Sequence, residues 1–197
     1  MTTRPDFNLV GSTVYACNKV VEYLKPLLEG SARDLDKVET VERHIGRFDT
    51  AQDVKRWLSK RDGGIRIAAL SVANYQRIGG RIVGTVNMAA YVFTAERFAY
   101  PKDTLAEVIA GKLVAAMMNK VSPPEAYSKA DNFRADNLYS TGIDELGIAC
   151  WAVSWSQQWY LDEAIDQASL DDFLRFGLSG ELADGAPIID GVVDLPQ

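Results

Sequence analysis

The alternation of apolar and polar positions is clearest from Gly64 to Thr94, GIRIAALSVANYQRIGGRIVGTVNMAAYVFT. Ile65, Ile67 and Ala69 alternate with Arg66, Ala68 and Leu70, and the run reaches Ser71 and Val72. In the second half Ile82, Val86, Met88, Ala90 and Val92 fall on one side of a two-residue repeat. Arg81, Val83, Thr85, Asn87, Ala89, Tyr91 and Phe93 take the other side, which starts polar and ends aromatic. This predicts two strands joined by a loop, with the second strand's outer face entering a contact partway along. A strand from Arg81 to Thr94 spans roughly 46 Å at about 3.3 Å per residue, long beside the usual ~5–6 residues. Long strands tend to protrude beyond their sheet, and Gly79-Gly80 supplies the backbone freedom to turn into this one. The plainer alternative is a meander hairpin ending in a bulge at Gly84.

Helical spacing takes over on either side. Residues 1–11 read as an N-terminal arm. From the candidate caps Ser12 and Thr13, apolar positions recur at Val14, Cys17, Val20, Val21, Leu24, Leu27 and Leu28. Pro26 should kink or end that helix near Lys25. Asp34 to Phe48 fits a thin helix or a distorted strand, and Val54, Trp57 and Leu58 suit a short helix capped by Asp49 or Thr50. After Pro101, Thr104 and Glu107 have capping-box spacing. Leu105, Val108, Ile109, Leu113, Ala116 and Met117 form a stripe to lie across the sheet, with Met117 and Met118 filling gaps.

Residues 121–144 read as a long polar loop. Gly147 to Leu161, GIACWAVSWSQQWYL, reads as a strand with Trp151, Val153, Trp155, Gln157 and Trp159 on one face. Those rings belong to a core or an interface; stacking on sugars or bases is the lesser alternative without basic residues around them. Asp162 to Gly177 suits a short helix. The tail, 178–197, is an extension able to add as an edge strand to its own sheet or a neighbour's. No domain boundary interrupts residues 1–197, so a single domain is expected.

Composition narrows function by exclusion. The 197 residues are 47% hydrophobic and 24% charged, with net charge −6, which suits a globular domain and no polyanion binder. His44 is the sole histidine, and neither a metal site nor a catalytic triad can be assembled around it by spacing. Asp131, Asp136 and Asp144 lack calcium-loop spacing. Cys17 and Cys150 read as reduced, partly buried thiols of a chain with no export signal. No apolar run is long enough to cross a membrane as a helix. No catalytic, cofactor or metal residues are assigned, and no enzyme activity is expected.

The hairpin, the segment PKDTLAEVIAGKL and then NLYSTGIDELGIACWAVSWSQQWYL follow one another in an order that resembles the Mu-like phage and prophage small tail proteins, akin to tail terminators. The likeness runs from about Arg61 to Leu161, and AAYVFT is among its specific pieces. It implies an α/β (α+β) fold, an antiparallel or mixed sheet with a long hairpin flanked by helices. It further implies a structural virion protein at the tail–head junction, assembled in the host cytoplasm. In that family a hexameric ring caps the tail tube, stops its polymerisation and joins the head connector or stopper protein. Genomic DNA passes through such a lumen without specific binding. On this reading no cofactor is needed, and the partners are further copies of the chain, the tail tube protein and the connector. Tyr75, Gln76 and Arg77, in an expected exposed loop from Asn74 to Ile78, join Tyr91 and Phe93 as candidate assembly contacts. A different neck component, a stopper or tail-completion protein, is the alternative. A small-molecule-binding α/β domain is a further one, with its pocket between the tryptophan strand and residues 121–144.

Overall fold

Ser12 ends the N-terminal lead-in by capping α1 (Thr13–Leu28), its Oγ accepting from the Tyr15 amide at 3.1 Å. The computed structural model describes residues 5–44, 63–164, 175–180 and 189–194. α1 runs through Pro26 instead of ending near Lys25. The proline lies in the last turn, where its missing amide removes a single bond. The carbonyl of Lys25 still accepts from Glu29 at 2.9 Å.

A five-stranded mixed sheet follows, built from β1 (Thr40–Arg43), β2 (Gly63–Ile78), β3 (Arg81–Ala95), β4 (Asp131–Asn137) and β5 (Ile148–Tyr160). Their spatial order is β1-β2-β3-β5-β4. β1 lies parallel to β2 and every other pair is antiparallel. α2 (Lys102–Met118) connects β3 to the β4 region, and the single turn α3 (Thr141–Asp144) precedes β5. The fold is therefore α+β, as the resemblance implied.

The two longer helices cover one face of the sheet. Ala16, Cys17, Val20, Leu24 and Leu28 of α1 and Ile109, Ala110, Leu113 and Met117 of α2 join one cluster. It also holds Ile65, Ile67, Val86, Met88, Ala90, Val92, Val153, Trp155 and Trp159. Trp155 and Trp159 are 2% and 1% exposed. Rings of that size contribute about 4–6 kcal/mol each by burial, taken as an upper figure. The apolar side of the two-residue repeat is thus the core side from Val86 to Val92. At the inner end of the opposite face, Phe93, Ile148 and Cys150 form a second cluster, with Tyr91, Ile143 and Leu146 packed against it. The polar-to-aromatic switch along β3 marks the point where this cover begins.

Several local expectations are corrected. Asp34 to Phe48 yields only the four-residue β1 among its described part. The capping box does not form: α2 starts at Lys102 with Pro101 at the cap, so Thr104 already lies inside the first turn. The helix's buried stripe takes in Ala106 and Ala110 and leaves Val108 and Met118 exposed. Packing against a sheet needs close approach, which alanine permits. Residues 121–144 are not one loop, since they contain β4 and α3. The segment Asn74–Ile78 is strand, not loop, and the turn is Gly79-Gly80 alone, with φ of 55° and 81°.

The chain forms two compact units, residues 1–163 and 164–197. In the second unit β6 (Arg175–Gly180) pairs antiparallel with β7 (Ile189–Asp194) as a two-stranded ribbon. Within this unit the described tail strand, Ile189–Asp194, has Arg175–Gly180 as its strand partner. The helix expected around Val54 lies outside the described residues, and of the one expected from Asp162 to Gly177 residues 165–174 lie outside them while Arg175 to Gly177 is the start of strand β6.

Candidate functional site

The β2–β3 hairpin sets up the outer end of the sheet. β1 accompanies β2 only from Gly64 to Ile67, and β4 reaches β5 only from Trp151 to Ser156. β5 keeps pace with β3 as far as Val83, opposite Tyr160. Beyond it only the pairs Arg77–Ile82 and Ile78–Arg81 remain, so the true overhang is shorter than the strand length suggested. β2 carries an extra residue between Ala69 and Ser71 and another between Ala73 and Gln76. The expected bulge at Gly84 falls on the opposite strand: Gly84 pairs regularly with Trp159 of β5, while on its other side it faces the extra residue of β2 between Ala73 and Gln76. There is also little room for a side chain, since a Cβ there would stand 2.6 Å from Leu161 Cδ1 and 3.1 Å from Val72 Cγ1. Bulges twist a strand and blunt a sheet edge, and beside the second one Tyr75, Gln76 and Arg77 are exposed.

Three of the five sequence candidates therefore come together. Tyr75 is 63% exposed, and Gln76 and Arg77 beside it are exposed too. Tyr91 and Phe93 are elsewhere, near the inner end of the sheet. Tyr91 is half-buried, and burial, with a smaller contribution from Cys150, raises its hydroxyl above the ordinary range. Phe93 is fully buried and serves the chain's own second cluster.

Below the overhang, a contact that sequence reasoning missed fixes the end of β5. Asp162 accepts from Arg81 Nε and from the Ile82 amide, both at 2.7 Å, and Arg81 Nη2 donates to the Asp162 carbonyl at 2.9 Å. Its signal was weak, because Asp162 also reads as the start of a helix.

On the tryptophan face Trp155 and Trp159 are buried and offer no ring to a ligand, while Trp151 is partly buried. Phe133 stacks on Trp155 at 6.3 Å and 21°, which closes that side. A polar groove does lie on the sheet surface, lined by Asn74, Thr85, Ser128, Asp131, Ser156 and Gln158. Beside it Asn87 donates to Ser71 and accepts from Ser156, at 2.9 and 2.8 Å. The lining is mostly amides and hydroxyls, with Asp131 and Lys129 as its charged members, and the Asp131 carboxylate accepts from the Asn132 amide at 2.7 Å. His44 stands apart at the end of β1. Burial first, then the charges of Arg66 and Arg43, hold it below the usual histidine range. Among the described residues no group of three or more His, Cys, Asp or Glu side chains is placed to hold a metal ion. No described helix is long and apolar enough to cross a membrane.

No family model and no curated protein matches this chain. Among solved structures it is similar to a chain in the virion of a native gene transfer agent (GTA) particle. That likeness has a TM-score of 0.44 and 9% identity, and covers 74% of this chain and 96% of that one.

Proposed function

We propose that this chain is a structural assembly protein of a phage-type virion, a tail terminator. In this role it forms a ring that caps the tail tube, stops its polymerisation and joins the tail to the head connector. The observation that carries the reading is the hairpin end: Tyr75, Gln76 and Arg77 stand exposed on a bulged strand. An exposed aromatic beside an arginine has the composition of a protein contact. The order of segments from Arg61 to Leu161 supports the tail-protein assignment on the resemblance given above. A head-to-tail contact that closes by rotation produces a ring, and one that does not close produces a filament. Tyr91, half-buried above Phe93, is the second proposed contact position.

The test is the mass of the purified chain by light scattering over a range of concentrations, alone and with purified tail tubes. A discrete species of about six chains, or a ring of that size on tube ends by electron microscopy, is expected. Tubes that keep growing in the presence of the protein would reject terminator function. Binding at the connector alone would move the chain to a stopper role.

A further inference from the structure

Five described residues other than glycine have a left-handed backbone: Asn74, Phe98, Ala99, Lys120 and Asn132. An ordinary L-residue pays roughly 1–2 kcal/mol there, and asparagine tolerates it best. Three of the five have a local reason. Phe98 (φ 50°) and Ala99 (φ 62°) are the centre of a turn that Arg97 and Tyr100 close by exchanging amide–carbonyl bonds of 3.4 and 2.9 Å. Arg97 holds that turn from below, with Nη2 donating to the Leu35 and Lys37 carbonyls. Lys120 follows the end of α2, a usual place for such a residue. Asn74 and Asn132 have neither reason. Each sits inside a bulge: Asn74 and Tyr75 of β2 oppose Gly84, and Asn132 and Phe133 of β4 oppose Trp155. Both line the same groove.

That groove is floored by Thr85 of β3 with Ser156 and Gln158 of β5, between Asn74 on one side and residues 128–132 on the other. It encloses about 600 Å³, inside the ~300–1,000 Å³ of ligand sites. The main-chain groups of the floor are taken by the β3–β5 ladder, Thr85 opposite Gln158 and Asn87 opposite Ser156. Its side chains are not. The carboxamides of Asn74, Asn132 and Gln158 and the hydroxyl of Thr85 make no hydrogen bond to another described residue. Gln157, also in the lining and 1% exposed, keeps its Oε1 buried without a donor among the described residues. Lys129 and Asp131 make no ion pair among those residues, and their charges cancel.

We propose that this groove binds a neutral saccharide between the two left-handed asparagines. Carboxamides and hydroxyls both donate and accept, and a carboxylate accepts twice, which matches the adjacent hydroxyls of a sugar. The cancelled charge selects neither an anion nor a cation. An apolar ligand lacks a counterpart, since Ala130 is the apolar residue of the lining. An extended peptide reads free main-chain groups, and the floor offers none. Bulges re-aim side chains beside binding sites, and left-handed strain gathers at ligand clamps. With no aromatic ring in the lining to stack on a sugar face, the expected Kd is about 1 mM. The site goes beyond the assembly reading and does not rest on it, so either can fail alone.

The test is saturation-transfer NMR on the full chain with maltose, cellobiose and N,N′-diacetylchitobiose, and with dextran as a polymer, at up to about ten times the expected Kd. Transfer to at least one disaccharide is expected, and added salt should leave it unchanged because no net charge is involved. Transfer to dextran as well identifies the ligand as a glycan chain, and transfer to disaccharide alone as a free sugar; either supports the site. Asn74→Gly and Asn132→Gly remove the two clamping carboxamides. Glycine takes φ of 52° and 55° without strain, so unchanged circular dichroism spectra are expected. Each variant should weaken binding about threefold to tenfold, the worth of one or two hydrogen bonds. No transfer to any probe overturns the proposal, and so does transfer that the double glycine variant retains in full. Binding that salt abolishes would reveal an ionic ligand and overturn it as well. A neutral glycine–serine peptide that displaces the sugars at equal concentration would show a main-chain site instead.

Discussion

Asp162 grips Arg81 by side chain and main chain at once, and in doing so ties the end of β5 to the start of β3. The same guanidinium lies 4.2 Å from the centre of the Tyr160 ring, which meets Tyr127 edge to face at 5.4 Å. Four residues from three segments thus brace the base of the hairpin.

Removing that brace should loosen the tip without unfolding the core. Asp162→Ala is expected to cost about 1–3 kcal/mol, since it leaves the Ile82 amide and a partly buried guanidinium unsatisfied. Burial pushes the Asp162 carboxyl up, but the Ile82 amide and Arg81 outweigh it and hold it below its ordinary 3.8. Its stabilisation is therefore present above 3.8 and lost as pH falls through the lower folded-state value. Thermal melts from neutral pH downward should show the gap between wild type and variant closing on the acid side. A gap that persists in acid would argue that packing, not charge, is what Asp162 supplies.

Both thiols should be inert in the native chain. Burial raises Cys17 to about 11, against smaller opposing effects of Arg43 and the Ala69 backbone, and raises Cys150 to about 12. A reagent that attacks thiolate should label the folded protein far more slowly than the denatured one at neutral pH. Linkage fixes a second sign. A raised thiol stabilises fully below the unfolded value of 9.0, and that contribution is lost as pH rises toward the folded values. Cys17→Ala and Cys150→Ala should flatten the alkaline fall in stability, measured by denaturant titration.

Gln157 is a polar residue on the tryptophan face, 1% exposed, and its Nε2 donates to the Ser122 and Ser128 carbonyls, both at 3.0 Å. It pins the segment between α2 and β4 onto the sheet. Gln157→Leu keeps the volume and removes both bonds, so a loss of about 1–3 kcal/mol is expected. Proteolysis should localise the opening to residues 119–130. Stability equal to wild type would show that water replaces the amide.

Ala99→Gly should stabilise the chain. Glycine escapes roughly 1–2 kcal/mol of left-handed strain and gives back about 0.4–1 kcal/mol in unfolded-state entropy. A net gain of up to about 1.6 kcal/mol follows, readable as a rise in melting temperature. A fall would mean that the turn is not strained in solution.

The chain's linear pattern was enough for most of β2, β3 and β5 and for the side of each that is buried. Alternation at Ile65, Ile67, Val86, Met88, Ala90 and Val92 specifies one buried face, because a strand's side chains alternate whatever lies beside it. The same logic put Trp155 and Trp159 inward. What the pattern could not carry was anything set by a neighbour distant in sequence. β4 is too polar to read as a strand until β5 is beside it to supply its hydrogen bonds. Val108 lies on the expected stripe but is displaced outward because Ala106 and Ala110 let the helix approach the sheet. Phe98 gave no warning of its left-handed backbone, since phenylalanine seldom adopts it; Arg97 and the exchanged Arg97–Tyr100 bonds hold it there. Local periodicity needs only the chain's own geometry, whereas a surface is defined by what remains after distant segments have covered the rest. Tertiary structure alone therefore decided that Phe93 enters the chain's own second cluster and does not join Tyr75, Gln76 and Arg77 at the surface.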